Sequence, residues 1–257
     1  YYLHIPKCGS SFATTLVQFA CPQLFSKGKM EGSEMVMEPT NFMKDFPLSE
    51  WCPGGFDTFH SGHCGAPTEV VADRPGNIAM MVRDPVERLV SGFLHNFHDC
   101  PEMHSLYSVD PDGLPWYSVP SGPWEGNSAE LDHMLFQYGT CVEGCTVKQI
   151  NGRECLMDSS RRPLEEEIEL ALNVVAKIGF IGITGRWEES VSLWRRMFGG
   201  NYSSAVLGNT RPSNQGDLRR RLSQRLRESG WRDYADDAFF AAAERVFNER
   251  MQLYDIR

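Results

Sequence analysis

The tightest constraint on the fold is a change of apolar periodicity at the start of the chain. Residues 1–5 form a short β-prone run, Pro6-Lys7-Cys8-Gly9-Ser10-Ser11 is a turn of small residues, and residues 12–19 carry apolar side chains at helical spacing. A strand that turns into a helix in this way leaves the first helical N–H groups unsatisfied at the mouth of the turn, where the helix dipole favours negative charge. With the hydroxyls of Ser10 and Ser11 and the cation of Lys7 added, the segment can hold a phosphate. The same residues also suit an ordinary surface turn before a helix. The turn is not a Walker A loop, because the glycine spacing differs and the lysine precedes the turn.

A second strand–helix unit follows. Residues 78–82 are an apolar run of strand length, and Asp84-Pro85 ends it and opens a helix to about residue 97, with proline in the first turn where its missing N–H costs nothing. Arg83 stands at the strand end. Ser91 lies two helical turns further on, on the face that Arg88 shares at i, i+3. A guanidinium fork and a hydroxyl so placed can receive a second phosphate; alternatively, Arg83 and Asp84 form an ion pair that caps the helix. Residues 180–184 are a third strand, leading into a helix at 188–197. Further helices are expected at 128–138, at 164–175 with an acidic start at Glu165-Glu166-Glu167, at 217–228 and at 235–254. Residues 26–57, 99–127 and 141–155 read as irregular or loop. With 257 residues, 41% of them hydrophobic, and neither repeat nor linker, the expectation is one α/β domain over 1–257. A central parallel sheet of about four or five strands would be flanked by helices, and 99–163 would be an insertion.

The stretches HIPKCGSSF and VRDPVERLVSGF together resemble the two phosphate-binding segments of sulfotransferases that use 3'-phosphoadenosine-5'-phosphosulfate (PAPS). The resemblance is nearest to the Golgi-type carbohydrate group that includes the uronyl and heparan sulfate 2-O-sulfotransferases, and it extends to FIGITGRWEESVSLWRRMFG. It implies a P-loop-like sulfotransferase fold in which Lys7, Cys8, Gly9, Ser10, Ser11 and Phe12 hold the 5'-phosphosulfate and Arg83 with Ser91 holds the 3'-phosphate. Cys8 and Ser10 stand where relatives often have Thr and Gly, and both keep a small side chain. Arg211, in Asn209-Thr210-Arg211-Pro212-Ser213, matches a loop that closes over the nucleotide, or is an ordinary surface residue. Phe59-His60-Ser61-Gly62-His63 resembles the family's His-Gly-His stretch, which places the catalytic base on His63, with Lys7 as the second catalytic residue. His60 and the carboxylates Glu31, Glu34 and Glu38 are the competing bases.

The resemblance thus implies PAPS as donor, adenosine 3',5'-bisphosphate as product and no metal. A zinc cluster of His95, His98, Cys100 and His104 has the spacing of no standard site. Tyr107, Trp116, Tyr117 and Trp124 could stack on the acceptor, a carbohydrate by preference or a small metabolite, or could pack within their own loop. Arg219, Arg220, Arg221, Arg225 and Arg227 form either the solvated face of an amphipathic helix or an anionic groove. The net charge of −9 argues against nucleic acid as a partner. No apolar run is long enough to span a membrane, so membrane attachment would need a segment outside this chain, which opens within a strand. Eight cysteines and the sequon Asn201-Tyr202-Ser203 fit the Golgi lumen or another secretory compartment, with the cytoplasm as the alternative. The rival readings are a nucleotide kinase or other P-loop phosphotransferase, and a non-catalytic protein that keeps the nucleotide pocket.

Overall fold

The computed structural model describes residues 1–9, 63, 65–103, 128–155, 161–199 and 216–256. Among them the chain is mixed α/β, with a three-stranded parallel sheet and eight α-helices. The strands are β1 (Tyr2–Leu3), β2 (Ala79–Val82) and β3 (Phe180–Ile183), in the spatial order β1-β2-β3. Tyr2 lies opposite Ala79, Met80 opposite Ile181 and Val82 opposite Ile183. Every strand residue is buried, so side chains pointing to either face are covered. This is the expected state of a parallel sheet, and it explains why the strands read as unbroken apolar runs rather than alternating ones.

Between β1 and β2 lies α1 (Thr68–Asp73). Between β2 and β3 lie α2 (Pro85–Phe93), α3 (Ser128–Cys141), α4 (Cys145–Ile150) and α5 (Glu165–Val175). After β3 come α6 (Trp187–Phe198), α7 (Gly216–Glu228) and α8 (Tyr234–Leu253). The sheet shares one apolar cluster with α4, α5, α6 and α8, in which Met80, Ile181 and Phe247 are fully enclosed. Burying a side chain of this size is worth about 1.5–3 kcal/mol. A second cluster joins α2, α3 and α7 through Leu89, Phe93, Leu135, Tyr138, Leu222 and Leu226. Both helices described within 99–163 therefore contribute to the core.

Two expectations need correction. Residues 141–155 are not all loop, since α4 occupies Cys145–Ile150. Its first N–H groups are satisfied from α8: Gly144 N–H donates to both carboxylate oxygens of Asp233 (3.1 and 3.0 Å), and Thr146 and Val147 N–H donate to Asp236 (3.0 and 3.1 Å). A cap supplied from some ninety residues away leaves no local trace. The α2 helix stops at Phe93 rather than near 97, because Asn96 and Phe97 take left-handed backbone angles (φ 54° and 53°). Two disulfides, Cys100–Cys141 and Cys145–Cys155, fix the segments at either end of this region.

Candidate active site

Because the strands are parallel and adjacent, the segments leaving their carboxyl ends are neighbours. These are the turn after β1, Arg83-Asp84 after β2, and the single helical turn Thr184–Arg186 after β3. In sheets of this kind ligands bind at that end. In the first turn Ile5 and Cys8 are buried, and Cys8 N–H donates to the Ile5 carbonyl at 3.3 Å. Lys7 takes a left-handed conformation (φ 60°), as does Gly9 (φ 84°). A Cβ on Gly9 would also come within 3.0 Å of the Trp187 ring, so both conformation and space require glycine. Burial pushes the Cys8 thiol up to about 12, so it is a protonated core side chain and its part in the turn is played by its backbone.

Thr184 ties the three strand ends together. Its hydroxyl lies 2.9 Å from the Cys8 carbonyl oxygen and 3.1 Å from that of Val82, a donor shared between two acceptors. Arg83 reaches the same place from β2, with Nη1 donating to the Lys7 carbonyl at 3.2 Å and Nη2 standing 3.6 Å from Glu87. The ion pair between Arg83 and Asp84 does not form: Asp84 instead caps α2 by accepting from Glu87 N–H at 3.0 Å, and pairs with Arg227 at 2.8 Å. Burial and the nearby charge of Arg219 both work against the Arg83 cation, and a guanidinium stays protonated regardless. Ser91 is enclosed within α2.

On α7, Arg225 pairs with Asp132, Arg227 with Asp84 and Arg220 with Asp217. Leu222 and Leu226 are buried. The basic cluster is thus largely the neutralised outer surface of an amphipathic helix. Arg219, on the stripe shared with Leu222 and Leu226, has its Nε buried without a hydrogen-bond partner among the described residues.

The third element is a group of imidazoles around one carboxylate. His63 Nδ1 lies 2.8 Å from Asp99 Oδ1, and His98 Nε2 lies 3.8 Å from Asp99 Oδ2. The His63 ring meets His4 edge to face at 4.8 Å and His98 at 4.9 Å between centroids. His4, the residue after β1, is anchored by Gln149 of α4, whose Nε2 donates to its carbonyl at 3.1 Å. Burial holds His98 down at about 3 against the opposing pull of Asp99, and the charge of Lys7 acts in the same direction as burial. His98 is therefore a neutral imidazole. Burial alone would raise the Asp99 carboxyl, but the His63 hydrogen bond and the surrounding positive charge, Arg88 included, hold it below the usual carboxylate range.

Asp99 sits at the end of a turn in which Asn96, Phe97 and Asp99 all have positive φ (54°, 53° and 64°). For a bulky side chain such as Phe97 that conformation costs on the order of 1–3 kcal/mol. Packing and hydrogen bonds hold it in place. Phe97 is 1% exposed and meets Phe93 edge to face at 5.2 Å, Tyr138 Oη donates to the His98 carbonyl at 2.6 Å, and Cys100 is bonded to Cys141. The Tyr138 hydroxyl reaches this turn only because residue 92 is glycine, since a Cβ there would fall 2.0 Å from it.

Lys7, Cys8, Gly9, Arg83 and His63 are thus gathered around the carboxyl ends of β1 and β2. Ser10, Ser11, Phe12, Arg211, His60, the three glutamates of 31–38, His104 and the four aromatic residues of the 99–127 segment lie outside the described residues. Because Cys100 is in a disulfide, it supplies no thiolate to a cluster with His95 and His98. His63, His98 and Asp99 do bring two nitrogens and an oxygen within 4.8 Å of one another, a donor set suited to zinc or iron, and the His63–Asp99 hydrogen bond already uses two of these atoms. Thr184 and Asp99 were not foreseen as site residues, and His98 was weighed only as a zinc ligand. The one local cue was the dense His95-Asn96-Phe97-His98-Asp99 run. A scan against protein-family models and searches of curated proteins and of solved structures return no match.

Proposed function

We propose that the chain is a PAPS-dependent sulfotransferase with a P-loop-like sulfotransferase fold, moving a sulfuryl group to an acceptor hydroxyl, with carbohydrate as the favoured acceptor class. The observation that carries this reading is the meeting of three separate segments at one end of a parallel sheet. The Lys7–Gly9 turn, the Arg83 guanidinium bonded to the Lys7 carbonyl, and a histidine held by a carboxylate all lie there. Two cationic positions and a base are what transfer from a nucleotide carrying a 5'-phosphosulfate and a 3'-phosphate requires.

In this reading His63 Nε2 takes the acceptor proton as the hydroxyl oxygen bonds to sulfur. The bond from sulfur to the bridging phosphate oxygen breaks, and its electron pair leaves on adenosine 3',5'-bisphosphate. Lys7 and the N–H groups of the turn stabilise that growing charge, so positioning and electrostatics supply most of the acceleration. The scheme involves no metal. The two disulfides support an oxidising, secretory compartment for the chain. The pairing of three α7 arginines with carboxylates favours an acceptor of low charge over a polyanion. Among the described residues no helix is long and apolar enough to cross a membrane.

The test is turnover of labelled PAPS against a panel of hydroxyl acceptors, read by mass, together with calorimetry of adenosine 3',5'-bisphosphate. Transfer from ATP with magnesium would favour the kinase reading, and binding without turnover the non-catalytic one. Arg83→Ala should weaken bisphosphate binding by about 1.5–3 kcal/mol, roughly tenfold or more, as for a lost charge-assisted hydrogen bond. Removing the 3'-phosphate from the ligand should cost the wild type a similar amount and the variant little more. Equal wild-type affinity for the two ligands would remove Arg83 from the site.

A further inference from the structure

We propose that Asp99 is the positioning residue for the base: it fixes the tautomer and direction of His63, and the left-handed turn after α2 exists to put it there. The inference rests on the sulfotransferase reading above and adds to it a residue outside both phosphate-binding segments. A carboxylate only accepts, so the 2.8 Å contact requires His63 Nδ1 to carry the hydrogen. In the neutral ring the lone pair then lies on Nε2, on the side away from Asp99, where an acceptor proton can be taken. After transfer of that proton the imidazolium keeps its Nδ1–H bond to a full negative charge, as an acid–base pair in an enclosed site needs.

The surroundings are arranged for this role. Asp99 is 8% exposed in its side chain, and its second oxygen, Oδ2, has no hydrogen-bond partner among the described residues. His98, 3.8 Å from that oxygen, is neutral and does not take up its charge. Among the described residues, the charged and titratable groups facing His63 are His4 from the end of β1 and His98 and Asp99 from the turn after α2, with Lys7 and Arg88 acting on these neighbours. Asp99 is the carboxylate among them. Three residues of four with positive φ form a costly conformation that ends α2 and also places this carboxylate beside His63.

Asp99→Asn is the informative variant, because asparagine tolerates a left-handed backbone (φ 64° here) and keeps the shape of the side chain. Its amide can donate to Nδ1 and trap the wrong tautomer. We expect kcat to fall by about a hundredfold or more, with bisphosphate affinity and melting temperature close to wild type. Nitrogen-15 NMR of the wild-type imidazoles should find His63 protonated at Nδ1 when neutral. An Nε2–H tautomer, an unchanged kcat in Asp99→Asn, or equal losses of affinity and melting temperature would overturn the proposal. So would activity abolished by a chelator and restored by zinc, which would make these residues metal ligands. If the wild type neither binds the bisphosphate nor turns over PAPS, the sulfotransferase reading fails by itself, and the NMR tautomer still decides the His63–Asp99 pairing.

Discussion

Replacing His63 with alanine should lower kcat for sulfuryl transfer by about a hundredfold to ten-thousandfold while leaving nucleotide affinity nearly unchanged. The separation of the two effects follows from the site. Among the described residues His63 meets Asp99, His4 and His98, whereas Arg83 and the Lys7 carbonyl form a separate link. Removing the imidazole abolishes proton abstraction without disturbing that link. It also leaves the enclosed Asp99 carboxylate without its hydrogen bond, which should cost about 1–3 kcal/mol of stability. The comparison should therefore be made well below the variant's melting temperature. His98→Ala is the control: its imidazole is neutral and turned toward Asp99 Oδ2, so its effect on kcat should be much smaller. If His63→Ala keeps near wild-type turnover and a variant at His60 or one of the glutamates does not, the base lies elsewhere.

The sequence made the local features legible. Short apolar runs flanked by breakers marked β2 and β3 to within a residue, and Asp84-Pro85 marked the start of α2, because strand ends and N-caps are written in adjacent residues. The later helices also fall where their periodicity put them. What could not be read is carried by partners distant in the chain. The α4 helix needs carboxylates from α8, the end of α2 depends on a turn packed against Tyr138 of α3, and Thr184 acts by reaching the carbonyls of Cys8 and Val82. The candidate site divides in the same way. Lys7, Gly9 and Arg83 stand in recognisable segments at strand ends, whereas the partner of His63 is Asp99, thirty-six residues on, and a lone Asp in a loop gives no sign of such a role. The resemblance that named the phosphate segments also contained Arg88, which proves to serve the fold.

Arg88→Met should destabilise the protein by about 3–5 kcal/mol, the cost of stripping a counter-charge from buried acids. Arg88 is 4% exposed, and its Nη2 donates to the Val142 carbonyl at 3.0 Å while lying 3.3 Å from Asp233 and 3.1 Å from Asp236. Those carboxylates hold the start of α4 and cap α8, so the guanidinium neutralises the junction that joins α2 to both helices. Burial, with the charge of Asp236 added, already pushes the Asp233 carboxyl well above its usual range, and Arg88 opposes that rise. Without Arg88 the folded-state Asp233 carboxyl should titrate higher still. A group whose folded value is raised binds more protons folded than unfolded, so the variant should lose stability as pH climbs from the ordinary carboxylate range through the raised values. The deficit against wild type should accordingly be larger at pH 8 than at pH 5, as urea unfolding at both pH values would measure. A deficit independent of pH would mean that Arg88 contributes through packing rather than charge. Methionine keeps much of the side-chain volume, so the variant isolates the electrostatic part, and retained bisphosphate binding in the folded fraction would separate this junction from the nucleotide site beside Arg83.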